Sequence, residues 1–169
     1  ARVALGVWRR PVLAALTTSG AEVPRPARTA VLGGLAVFAI WMALDQGVVD
    51  AGEQTDAQLA EWSTPLVVLW VTTRLVASVL VVPLVEELAF RGFLMRRLVT
   101  ADFDSLPFRQ VTPLAVLVSS VVFAVLHDEL VAGALAGAVF AAVAWRTGRL
   151  RDAVIAHAVS NALIAVVVL

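Results

Sequence analysis

From Trp62 to Arg97 the chain runs for thirty-six residues with no polar stretch to interrupt it. A backbone buried in hydrocarbon has no water to satisfy its N–H and C=O groups, so such a run must pair them internally, as a helix does. At 1.5 Å per residue the helix would be ~54 Å long, against ~30 Å for a bilayer core. Pro83 lies inside the run and removes one ladder hydrogen bond. The run is therefore expected to form either one bent helix or two. Just beyond the proline stand Glu86, Glu87 and Arg91. Charges at bilayer depth cost roughly 2.5–3.5 kcal/mol each on insertion scales, which makes these three a functional hypothesis from the start.

The rest of the chain fits the same environment. Hydrophobic residues make up 60% of it and the mean hydropathy is +0.90, well above the roughly 45–50% apolar usage of soluble domains. Cysteine is absent, which excludes disulfides, thiolate nucleophiles and Cys-based zinc sites. The formal charge is zero and all thirteen basic residues are Arg. No global field points to nucleic acid as a partner. The first residue is Ala rather than Met, so the chain is read as processed or as a piece of something longer. No signal-peptide pattern is present near the start.

Charge sorts the loops. Residues 1–28 carry Arg2, Arg9, Arg10, Arg25 and Arg28 and read as a basic juxtamembrane segment, with Val3 to Leu16 as the end of an upstream helix. The domain proper is then 29–169. Ala30 to Leu44 is apolar and is read as a crossing. Asp45 to Glu61 holds five acidic residues and no basic one and reads as a loop on the opposite side. Arg96, Arg97 and Arg109 flank a second basic loop; Asp128 and Glu129 make an acidic turn; Arg146, Arg149 and Arg151 mark a third basic one. Helices are expected from Pro113 to Leu126, Leu130 to Trp145 and Asp152 to Leu169. The Ala/Gly run at 132–138 would allow close helix approach, and Trp41, Trp62, Trp70 and Trp145 read as interface anchors. The expected fold is an all-α, polytopic transmembrane bundle of about five to six helices, in a plasma membrane of bacterial type, with the basic N-terminal segment cytoplasmic.

Few strongly polar side chains remain inside the spans: Arg74, Glu86, Glu87, Arg91, His127, His157 and Asn161. Arg74 has no evident partner. Counted inward from the basic anchors at 1.5 Å per residue, Glu87 and Asn161 both lie ~15 Å deep and His157 ~9 Å; His127 lies ~21 Å from Pro113. One polar pocket at mid-membrane is geometrically allowed. Glu87 and Arg91 stand i and i+4, the spacing of an ion pair on one helix face. Glu86 is the carboxylate left over, suited to act as a general base on a water. His157 and Asn161, also i and i+4, project from one face of the last helix and could hold an oxyanion.

Three stretches carry a resemblance: Glu-Glu-Leu-Ala-Phe-Arg at 86–91, Phe-Ala-Val-Leu-His at 123–127 and His-Ala-Val-Ser-Asn at 157–161. In this order they resemble the motifs of the CPBP family, the CaaX-protease and bacteriocin-processing intramembrane endopeptidases, over residues 65–169. Phrases around them are similar to the bacterial branch linked to exosortase and C-terminal sorting signals. The resemblance implies a glutamic-type intramembrane protease without a cofactor. Glu86 would activate water with help from His127, and His157 and Asn161 would stabilise the oxyanion. Glu87, Arg91 and Phe123 would support them. The substrate would be a membrane-associated protein or peptide.

Two other readings stand beside this one. Glu86, His127 and His157 supply residue types that bind a catalytic zinc, although the His-Glu-x-x-His spacing is missing. A non-catalytic immunity or scaffold protein, or a small transporter relaying protons through a buried carboxylate, is the reading from another class.

Overall fold

The computed structural model describes residues 25–45 and 47–169, and every regular element within them is helical. Helix α1 spans Arg25–Leu44 and α2 spans Gly47–Leu59. Helix α3 runs through Thr64–Arg97. Two short 3-10 turns, Phe103–Ser105 and Phe108–Gln110, lead to α4 at Pro113–Ala124. Helices α5 at Leu130–Thr147 and α6 at Leu150–Val168 complete the bundle. The basic segment read at residues 1–28, with Arg2, Arg9 and Arg10, lies outside the described residues except for its last four.

Two expectations change. Residues 45–61 are not a loop, since most of them form α2, which packs on α6. Their charges argue against lipid, not against helix. The run through Pro83 is neither broken nor simply α-helical. It alternates α-helical Thr64–Val76, Val82–Glu87 and Met95–Arg97 with π-helical Ala77–Val81 and Leu88–Leu94. The Val82 N–H reaches back five residues to the Ala77 carbonyl, and the Met95 N–H likewise to that of Phe90. Pro83 has no N–H to offer, and the widened turn just before it absorbs the missing bond.

By length and composition, α3, α5 and α6 are each able to cross a membrane, while the apolar helix Pro113–Ala124 is shorter. The distribution of side chains is that of a bundle in lipid. Leu66, Val68, Leu69, Leu80, Val81 and Val85 of α3 are exposed, while Ala30, Ala136, Ala141, Ala144, Ala153 and Ala156 are buried. Small residues inside let backbones approach, since lipid supplies no hydrophobic drive between helices. Gly34 shows how close the approach is: a Cβ there would stand 2.5 Å from the Ala156 carbonyl and 2.7 Å from Val159 Cβ, so α1 can lie on α6 only with glycine at that point. The α4–α5 contact depends in the same way on Gly137, where a Cβ would meet Ser120 Cα at 3.0 Å. Thr112 caps α4 by accepting the Ala115 N–H at 3.2 Å, with Pro113 in the first turn.

Candidate active site

The buried pair comes first. Glu87 and Arg91 are both 0% exposed, and Arg91 Nη1 donates to Glu87 Oε1 at 2.9 Å. Arg91 Nη2 donates to the Gly137 carbonyl at 2.7 Å, an approach that a side chain at 137 would obstruct, because a Cβ there would lie 3.3 Å from the same nitrogen. The guanidinium carbon lies 4.5 Å from the centre of the Phe123 ring and 5.5 Å from that of Phe140. Two fixed acceptors and aromatic faces make this burial tolerable. The i, i+4 expectation for the pair holds.

His157 enters the same cluster from α6. Its Nδ1 lies 3.1 Å from Glu87 Oε1, and its ring stacks on Phe140 at 4.5 Å with 18° between planes. A carboxylate accepts, so the tautomer that bonds Glu87 carries its hydrogen on Nδ1 and presents a bare Nε2. That Nε2 stands 3.8 Å from Glu86 Oε2, too far for a direct hydrogen bond. Glu86 Oε2 is buried and makes no hydrogen bond within the chain. Glu86 thus faces His157, whereas the motif resemblance had paired it with His127.

Asn161 is engaged elsewhere: its Nδ2 donates to the Ser78 carbonyl at 2.8 Å. The reason lies in α3. In an α-helix the Ser78 carbonyl would receive the Val82 N–H, but that donor has gone to Ala77. In the wider π register its partner would be residue 83, which is proline. The carbonyl is left without a backbone donor in either register, and Asn161 supplies one. One Nδ2 hydrogen remains free for other work.

His127 follows α4, with Nδ1 2.9 Å from the Phe123 carbonyl. A carbonyl also only accepts, so the tautomer that makes this bond carries its hydrogen on Nδ1 and presents a bare Nε2. Its ring lies 4.5 Å from Phe123 and, edge to face, 5.7 Å from Trp41. Among the described residues it pairs with neither carboxylate. Trp41, read as an interface anchor, is turned inward and donates Nε1 to Asp45 at 2.9 Å.

A cavity of about 250 Å³ gathers these groups, with Trp41, Arg74, Ser78, His127, His157 and Asn161 on its wall. Glu86 is not among the lining residues and meets the cavity through His157. The expected convergence of Glu86, Glu87, His157 and Asn161 near one level therefore takes the form of a carboxylate–histidine cluster behind a wall, with His127 facing it. Among the described residues no group of three His, Asp or Glu side chains is placed as metal ligands are.

Sequence reasoning missed Ser78, Gly137 and Phe140. Ser78 was legible, because it lies five residues before a proline. Phe140 carries no local signal, since stacking across helices leaves no spacing to read.

Compared with known proteins, the chain finds no match among curated proteins and none among solved structures. A family model described as type II CAAX prenyl endopeptidase Rce1-like matches residues 68–163, a range that holds all three motifs. The match agrees with the CPBP resemblance and marks a protease family of membrane proteins. With over half of its length inside the match, the chain belongs to the type II CAAX prenyl endopeptidase Rce1-like family.

Proposed function

We propose that the protein is a multi-pass intramembrane endopeptidase of glutamic type, hydrolysing a peptide bond of a membrane-associated protein with water activated by Glu86. The observation that carries this reading is the gap of 3.8 Å between Glu86 Oε2 and His157 Nε2, with the carboxylate oxygen unsatisfied; with His157 in the Nδ1–H tautomer the gap lies between two acceptors. A water there would donate one hydrogen to each and keep its lone pairs for the cavity. Glu87 fixes the His157 ring by taking its Nδ1–H, and Arg91 fixes Glu87 in turn. As the water attacks the scissile carbonyl, Glu86 takes its proton and then passes it to the leaving amine. The free Nδ2 hydrogen of Asn161 donates to the oxyanion. His127, which lines the same cavity, is a second proton acceptor.

The basic ends of the helices set the topology, with residues 96–109 and 146–151 on the cytoplasmic side. The test is cleavage of a quenched membrane-peptide library by the detergent-solubilised chain. Glu86→Gln should lower the rate by about 10² or more while leaving helicity and thermal stability unchanged. Retained cleavage would overturn the assignment.

A further inference from the structure

Arg74 is the charge that the protease reading leaves over. It sits in the first third of α3, in a helix whose most apolar 18-residue stretch has a mean hydropathy of 2.1, and its guanidinium carbon stacks 5.2 Å over the Trp70 ring. Among the described residues it has no acidic partner. A lone cation in an apolar span is costly, and Arg91 shows how this fold treats a cation that serves only structure, by enclosing it between a carboxylate, a carbonyl and aromatic rings. Arg74 has none of that enclosure and is exposed. It lines the same cavity as His127, His157 and Asn161.

The wall is one-sided in its chemistry. Among the described lining residues its polar side chains are Trp41, Arg74, Ser78, His127, His157, Ser160 and Asn161, with no Asp or Glu. Such a wall leaves the Arg74 fork open to a planar acceptor pair. Along α3, Arg74 lies twelve residues from Glu86, ~18 Å at the helical rise. An extended peptide covers that distance in about five residues.

We infer that Arg74 is an anion-binding subsite of the cavity, taking a carboxylate of the substrate peptide within about five residues of the bond to be cut. The inference rests on the protease reading, and it supplies a determinant of specificity remote from the reacting atoms. The carboxylate has two sources, the free chain end or an Asp or Glu side chain.

Binding is measured on the full chain carrying Glu86→Gln, which holds peptide without cutting it. The probes are N-acetyl-Leu-Val-Val-Leu as free acid, the same peptide as amide, and N-acetyl-Leu-Val-Asp-Leu amide, each titrated in neutral detergent micelles. The free acid or the Asp peptide should bind roughly tenfold or more tightly than the neutral amide. That preference should vanish when Arg74→Gln is added and survive in part with Arg74→Lys. Which acidic probe wins identifies the source. Equal affinity for acid and amide, no binding of either acidic probe, or a preference that persists in Arg74→Gln would overturn the subsite. So would a peptide-independent, Arg74-dependent response to added phosphatidylglycerol, which would assign the residue to a lipid headgroup. Because cleavage is not the readout, loss of this preference leaves the Glu86 test on the wild-type chain to decide the protease reading separately.

Discussion

At the scale of single residues, two carboxylates adjacent in sequence live in different surroundings. Glu87 is fully enclosed, with Oε1 bonded to Arg91 and His157 and Oε2 unpartnered, whereas Glu86 makes no such bond to either and faces His157 across 3.8 Å with its own Oε2 unpartnered. Removing one member of an enclosed ion pair strands the other charge. Arg91→Met should therefore destabilise by about 3–5 kcal/mol, and Glu87→Met with Arg91→Met by clearly less, as measured by denaturation in mixed micelles. The Glu87–Arg91 pair was legible in the sequence because i, i+4 is a local relation that any helix enforces. The place of His157 was not. Counting residues inward gives a depth but no direction around the bundle axis, so His127 and His157 could not be told apart as neighbours of Glu86. What separates them is the rotation of α6 against α3, fixed by contacts such as Phe140 on His157.

At the scale of elements, α3 joins fold to site. Pro83 was visible as a disturbance, and its form became visible only with the structure. The turn before it widens, the Ser78 carbonyl loses its backbone donor and Asn161 takes over. The bond ties α6 to α3 at the level where the cavity opens. Asn161→Ala should cost about 1 kcal/mol or more by leaving a carbonyl unpaired. Pro83→Ala restores an N–H at the position that the widened register needs, so it should recover part of that loss. A double-mutant cycle on unfolding free energy checks this, and strict additivity would show that the two are not linked. Helix α2 was missed because an acidic, apolar-poor stretch was judged by its fitness for lipid alone. Gly34 was missed for a related reason, since a glycine pair in an apolar run reads as weak helix until the facing backbone is known.

At the scale of the whole molecule, the class of fold was the most legible feature. Sixty per cent hydrophobic residues, long apolar runs and alternating loop charge all follow from the bilayer as solvent, and the helical bundle with its small-residue interior agrees. The shortness of Pro113–Ala124 was less legible, because the sequence does not say how a neighbouring long helix supports a short one. The absence of cysteine makes topology directly measurable: each introduced thiol is the molecule's sole label. Arg109→Cys and Arg149→Cys should react with an impermeant maleimide only from the cytoplasmic side, and Glu61→Cys only from the other. Labelling of all three from one side would overturn the proposed orientation.

The bonds that make the buried charges of α3 tolerable also impose an order in time. Arg91 is bonded to the carbonyl of a residue 46 positions later, and Glu87 to a histidine 70 positions later. At about 5–20 residues per second, a ribosome delivers Gly137 roughly 2–9 s after Arg91 and His157 later still. Through that interval α3 carries a carboxylate and a guanidinium that have each other but lack their remaining partners, so it cannot settle in open lipid as a finished helix. The buried charges of α3 therefore gain these partners only after the C-terminal half has emerged.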